Sequence, residues 1–418
     1  MRARVSRRHL LTLLGGAIAG RTASRGEEAA AQAAADNDMS DEEVRDILLA
    51  EAEPGGGPLD RATIKPFWFQ KPEGSRPVPH WPPDNVSFDF AHTAELPNIE
   101  EPFQLTGDAL QRLAEANSFQ MSGREAKVLF ALRGCMLAED GDHVDWTSGH
   151  AVRATRPNHV DLKCLFGVWD KASNRIALFK GSTVPGVDYM EKQIEGKLKS
   201  NMLPTGLHQY AVGPHGDTRQ PGAFLQRTPL WVIRSKKTLG FAANDAGIEW
   251  DDLDGKLPFD DIHAAILDAR KNPPHFSSAG CQTIAGNYLN GVPTGAWSEF
   301  RKAAGLAHPI QFVAGSRQDS SDDGRLFDYV LLTGKEAQLA ATGNGVRLRT
   351  LRFGSSGDRV SELQERLLAR PEGAGVTKSG VFDWKTLGGV LRWQKENKLA
   401  PSGIIAVEAA AKLGLNWS

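Results

Sequence analysis

Through its middle third the chain alternates short β-branched or aromatic runs with Gly, Pro and Asn. Examples are "HVDLKCLFGVWD", "NRIALFKGSTVPG", "GLHQYAVGPH" and "TPLWVIRSKK". Runs of that length with that punctuation predict strands joined by tight connections. "RLFDYVLLTG" reads as a late strand, whereas "TGDALQRLAEANSF", "DDIHAAILDARKN" and "AWSEFRKAAG" carry helical spacing. "REAKVLFALRGCML" is apolar without a clear period and fits a helix end or a buried strand. A mainly antiparallel, β-rich domain decorated with helices is expected over residues 121–335.

The pattern changes at both ends. After a polar, glycine-containing connector at 336–349, three narrow apolar stripes follow: Val360, Leu363 and Leu367; Leu387, Val390 and Leu391; Val407, Ala410 and Leu413. None is wide enough to stand alone, so residues 350–418 should pack as three helices. Upstream, Ser40 and Glu43 form a capping box for a short helix. The proline-rich stretch after it, with Phe67, Trp68, Phe69 and Trp81, should run extended as a strap anchored by its aromatics. Residues 36–120 thus form a helical and proline-rich segment of an α+β multidomain protein.

Composition narrows the partners. Lys and Arg total 49 against 51 for Asp and Glu in 418 residues, so no basic stripe points to a nucleic acid. The N-terminus "MRARVSRRHLLTLLGGAIAG" joins basic residues to an apolar run too short for a comfortable membrane span. It reads as an export signal within residues 1–35, and "SRRHLL", with Arg7 and Arg8, resembles a twin-arginine signal. No other apolar run reaches about 18 residues. The expectation is a periplasmic or cell-envelope protein without a stable membrane span after signal removal.

Cys281 then becomes conspicuous, because one of three cysteines must stay unpaired in an oxidising compartment if Cys135 and Cys164 pair. It sits in "HFSSAGCQTIAG", where Ser278, Ala279 and Gly280 allow a carbonyl to approach and leave backbone N–H groups for an oxyanion. His263 in "DDIHAA" and His275 are candidate bases, and Asp260 or Asp261 could orient either. His208 and His215 could face the same cleft. Three alternatives stay open. His263, His275 and Cys281 could bind zinc, as in a zinc-dependent peptidase, although no tight ligand pair is present. Cys281 could be a small buried hydrophobe in a non-catalytic protein. A papain-type arrangement would have only His308 downstream.

Two resemblances sharpen the expectation. "IHAA" followed by "SSAGCQ", together with "STVPG" and "LPTGLHQYAVGPHG" containing Pro204, Thr205 and Gly206, resembles a divergent branch of the L,D-transpeptidase catalytic domain family. That resemblance implies Cys281 as nucleophile and His263 as general base, with Ser278 and Gly280 shaping the turn and His275, Asp261, Gln282 and His208 in support. It implies acyl transfer or carboxypeptidase-like hydrolysis on peptidoglycan stem peptides, with no metal and no cofactor. Gln282 and Thr283 stand where the family has an arginine signature, which removes a bidentate carboxylate handle. The tail is similar to the three-helix peptidoglycan-binding domain through Gly354, Gly357, Gln364, Gly380, Phe382, Asp383, Thr386, Gln394 and Gly403. This second likeness implies peptidoglycan as the partner.

Overall fold

A computed structural model describes residues 101–418, except 158, 195–197, 216–219, 236–247, 268–274, 290–291, 316–318, 344–348, 416 and 418. It also describes the pairs 69–70 and 78–79. The signal at 1–35, the Ser40 capping box, and Phe67, Trp68 and Trp81 lie outside the described residues. Phe69–Gln70 and Val78–Pro79 pair as a short antiparallel ladder.

Eight strands make the centre: β1 (Lys127–Arg133), β2 (Cys164–Asp170), β3 (Arg175–Ser182), β4 (Gly206–His215), β5 (Gln220–Gln226), β6 (Ile262–Ala264), β7 (Gln282–Ile284) and β8 (Leu326–Thr333). Their order is β7-β6-β5-β4-β8-β1-β2-β3, and β3 pairs again with β7 through Thr283↔Ser182. The sheet therefore closes into an eight-stranded barrel. Most pairs are antiparallel; β6–β7 and β8–β1 are parallel. A strand at His143–Thr147 extends the sheet beside β3.

The barrel wall is covered on both faces, which explains the aperiodic run in "REAKVLFALRGCML". In β1, Leu129 and Ala131 point into one core, while Val128, Phe130 and Leu132 join a second core on the opposite face. A strand buried on both sides needs apolar residues throughout and loses its alternation. Helices α1 (Gly107–Ala116) and α4 (Gly334–Ala341) contribute Leu110, Leu113, Ala337 and Leu339 to the second core. Helix α2 spans Val187–Ile194, and α3 spans Gly295–Ala303. From α3, Phe300 meets Phe166, Phe179 and Phe224 of the first core edge-on, at centroid distances of 5.4 to 6.4 Å.

Two readings need amendment. "DDIHAAILDARKN" does not open as a helix: Ile262–Ala264 is strand β6, held between Phe224 of β5 and the parallel strand β7. Tertiary pairing overrides the local spacing there. The stretch read as connector begins with helix α4, whose N-terminus carries a capping box between Thr333 and Glu336.

Beyond residue 350 the described residues contain α5 (Asp358–Leu368), α6 (Trp384–Glu396) and α7 (Val407–Leu413). Val360, Leu363, Leu367, Leu387, Val390 and Leu413 belong to the same continuous core as the barrel interior. The junction is close. The Leu207 N–H donates to the Phe353 carbonyl at 3.0 Å, and the Trp250 indole donates to the Pro401 carbonyl at 2.6 Å. A Cβ on Gly388 would come within 2.8 Å of the Trp231 ring. Arg352 and Glu336, each 1 % exposed, form an ion pair across the junction, and Arg352 also donates to Thr205 Oγ1 at 2.8 Å. Residues 102–341 and 350–415 are thus packed together rather than merely tethered.

Candidate functional site

Cys281 immediately precedes β7, His263 is the middle residue of β6, and His215 ends β4. Barrel closure brings all three together. The Sγ of Cys281 and one ring nitrogen from each histidine lie within 4.8 Å of one another, and all three residues are buried. The two imidazoles stack, with centroids 4.4 Å apart and planes 14° from parallel.

Hydrogen bonds set the tautomers. His215 Nδ1 lies 2.8 Å from Asp261 Oδ2, and His263 Nδ1 lies 2.7 Å from the Ala264 carbonyl. A carboxylate and a carbonyl oxygen can only accept, so Nδ1 is the protonated nitrogen in both rings. In the neutral rings each lone pair is therefore on Nε2. Asp261 is itself held, because its Oδ1 accepts from the Gln226 N–H of β5 at 2.8 Å. The Cys281 thiol donates to the Phe259 carbonyl at 3.5 Å. Tyr210 hydrogen-bonds the Asp260 carbonyl at 2.7 Å, and burial followed by the neighbouring Tyr329, Asp260, Asp261 and Cys281 charges holds its phenol well above the usual range.

The turn is built for close packing. Ser278 Oγ donates to the Cys281 carbonyl at 2.8 Å. A Cβ on Gly280 would meet the Asp260 carboxylate and would lie 2.6 Å from Asn201 Oδ1, so a side chain there must displace buried polar atoms. Gln282 and Thr283 are fully buried. Gln282 Nε2 donates to the Gly280 carbonyl at 3.1 Å, and Tyr329 donates to Gln282 Oε1 at 3.2 Å. The glutamine after Cys281 thus braces the turn against the barrel interior.

Two candidate histidines are engaged elsewhere. His275 Nδ1 is 2.7 Å from Asp188 Oδ1 of α2. His208 lies against the Pro204 carbonyl at 3.0 Å and stacks on Phe353 at 5.2 Å; burial, with the Arg133 charge opposing protonation further, brings its pKa down to about 3. His308 lies 3.4 Å from Ser298 Oγ. Sequence reasoning placed His215 only loosely. The missed signal is register: His215 of β4 pairs with Gln220 at the far end of the hairpin, beside the strand whose Gln226 holds Asp261. All three cysteines are unbridged and buried; burial, then the charge of nearby Cys164, pushes the Cys135 thiol up.

In the tail, the signature residues hold backbone. Gln364 accepts from the Gly380 N–H at 2.9 Å and donates to the Val381 carbonyl at 2.8 Å. Gln394 repeats the arrangement with the Gly403 N–H and the Ile404 carbonyl, both at 2.9 Å. Gly380 and Gly403 have φ of +72° and +69°, which favours glycine. Asp383 caps α6 by accepting from the Thr386 N–H at 2.8 Å, and Phe382 is fully buried.

Comparisons with protein families, with curated proteins and with solved structures find no match to this chain. Among the described residues, no helix is long and apolar enough to cross a membrane.

Proposed function

We propose that the protein is an exported cell-wall enzyme that uses Cys281 as a nucleophile in acyl transfer on peptidoglycan stem peptides. The observation that carries the chemistry is the convergence of Cys281, His263 and His215, with Asp261 on the far side of His215. A thiol beside an imidazole whose other nitrogen is held by a carboxylate has the parts that make a thiolate at neutral pH. The substrate class rests on the two sequence resemblances, and export rests on the twin-arginine-like start.

The reaction follows from the parts. The thiol proton passes to a histidine Nε2, and Sγ attacks an amide carbonyl to form a C–S bond. Of the two rings, His215 is better suited to take and keep the proton, because Asp261 stabilises an imidazolium directly; His263, whose Nδ1 faces only a carbonyl, is the second acceptor. Collapse breaks the C–N bond, the leaving amine takes the proton, and a thioester remains. A second amine or water then releases the acyl group.

Full-length protein and a Cys281→Ala variant, incubated with purified muropeptides, test this by mass analysis. The expected result is a thioester adduct on Cys281 and new products in wild type only. Identical product profiles would refute Cys281 catalysis.

A further inference from the structure

We propose that His215, His263 and Cys281 also form a zinc site that reversibly blocks the thiol. The ligand set differs from the His263, His275 and Cys281 combination that the sequence suggests, because His275 is committed to Asp188. Three observations carry it. The donor atoms of two imidazoles and one thiol lie within 4.8 Å of one another, and four-coordinate zinc with bonds of about 2.0 to 2.3 Å needs the widest pair to close by only about 1 Å. Both rings have Nδ1 engaged, by Asp261 and by the Ala264 carbonyl, which directs Nε2 as the ligating atom. Such outer partners fix tautomer and orientation at histidine metal sites. The ligands also come from barrel strands β4 and β6 and from the residue opening β7, so the backbone already holds them together. Because the rings stack 14° from parallel, one of them must turn out of the stack for both in-plane Nε2 lone pairs to meet a single ion.

Binding would replace the thiol proton: the Cys281 S–H bond breaks, the proton leaves to solvent, and Sγ, two Nε2 atoms and one water complete the shell. The sulfur lone pair then bonds the metal and no longer attacks a carbonyl. The blocking half of the proposal rests on Cys281 being the nucleophile; the binding half does not.

The test uses reduced, chelator-treated full-length protein titrated with Co²⁺ alone and then with Zn²⁺. One equivalent of Co²⁺ should give a thiolate-to-cobalt charge-transfer band and four-coordinate visible bands, both bleached by one equivalent of Zn²⁺. Cys281→Ser should lose the charge-transfer band, and Asp261→Asn should weaken binding by about 10- to 100-fold. His275→Ala should bind as wild type does. Zinc should also slow iodoacetamide labelling of Cys281 by at least about tenfold, with chelator restoring the rate. Absence of the charge-transfer band in folded wild type, or undiminished cobalt affinity in a folded His215→Gln variant, overturns the site. Zinc that raises turnover overturns the block. Cobalt binding in a protein that forms no thioester when metal-free supports the site and counts against acyl transfer alone.

Discussion

Asp261 Oδ2 accepts a 2.8 Å hydrogen bond from His215 Nδ1 while its other oxygen is held by the Gln226 N–H. The carboxylate therefore has a fixed direction, and Asp261→Asn isolates that direction from the charge. An amide can keep its oxygen on the Gln226 N–H and present N–H to His215, which forces the His215 proton onto Nε2. Alkylation of Cys281 at pH 7 should slow by about 10²- to 10⁴-fold, the range for loss of a triad carboxylate or a general base. The melting temperature should move far less than in a core deletion. Rates with iodoacetamide, alongside a thermal melt, check this.

Gly280→Ala should disable the turn without removing any reacting group. The new methyl would meet the Asp260 carboxylate and Asn201, which are hydrogen-bonded to each other at 2.5 Å. Displacing Cys281 by about 1 Å is enough to cost about 10²-fold in rate. Product formation from muropeptides should fall to that extent while far-ultraviolet circular dichroism stays unchanged.

Breaking the buried pair at the tail junction should be expensive. Glu336→Gln leaves the Arg352 guanidinium buried without its countercharge, a change that costs about 3–5 kcal/mol in comparable sites. The double variant Glu336→Gln, Arg352→Met should recover part of that loss, because no uncompensated charge remains. Urea unfolding of the two variants gives the comparison.

Acid should destabilise the fold through two buried histidines. Burial lowers the pKa of His159 to about 4, partly offset by the Pro185 carbonyl, and that of His208 to about 3, against an ordinary 6.5. Below pH 6.5 the unfolded chain binds these protons and the folded chain does not, so stability is complete above that pH. It falls as pH drops towards 4 for His159 and towards 3 for His208, at up to about 1.4 kcal/mol per pH unit per histidine. His208→Gln should flatten the lower part of a stability profile measured from pH 7 to 3.

Thiol chemistry should separate the three cysteines. Denatured protein should show three reactive thiols, as unbridged residues require. In the folded state Cys281 should react first, because Cys135 and Cys164 are 0 % and 1 % exposed and burial keeps the Cys135 thiol protonated. Peptide mapping after a short alkylation pulse reads the order.

Much of this architecture was legible beforehand where one face of an element is wet. Helix α1 starts one residue into its predicted segment, capped by Thr106, and the apolar stripes of α5, α6 and α7 fall on their helices. Legibility failed where burial is two-sided. Strand β6 shows only three residues, all buried, and its pattern mimics a helix until β5 and β7 are in place. The site divides the same way. Cys281, His263, Ser278 and Gly280 are local in sequence and could be read from it, whereas His215 comes 48 positions before His263 and is joined to it only by barrel closure. Gln282 stood out as a departure from a signature; its position inside the barrel, bridging Tyr329 and the Cys281 turn, gives that departure a mechanical role.

The shared core between the barrel and the helices after residue 350 has a geometric consequence. A module on a flexible linker samples a volume, whereas one seated on Trp231, Leu207 and Trp250 keeps a single bearing relative to Cys281. Under the peptidoglycan binding proposed for the tail, the polymer would be presented to the thiol at a constant offset, making the molecule a ruler along it.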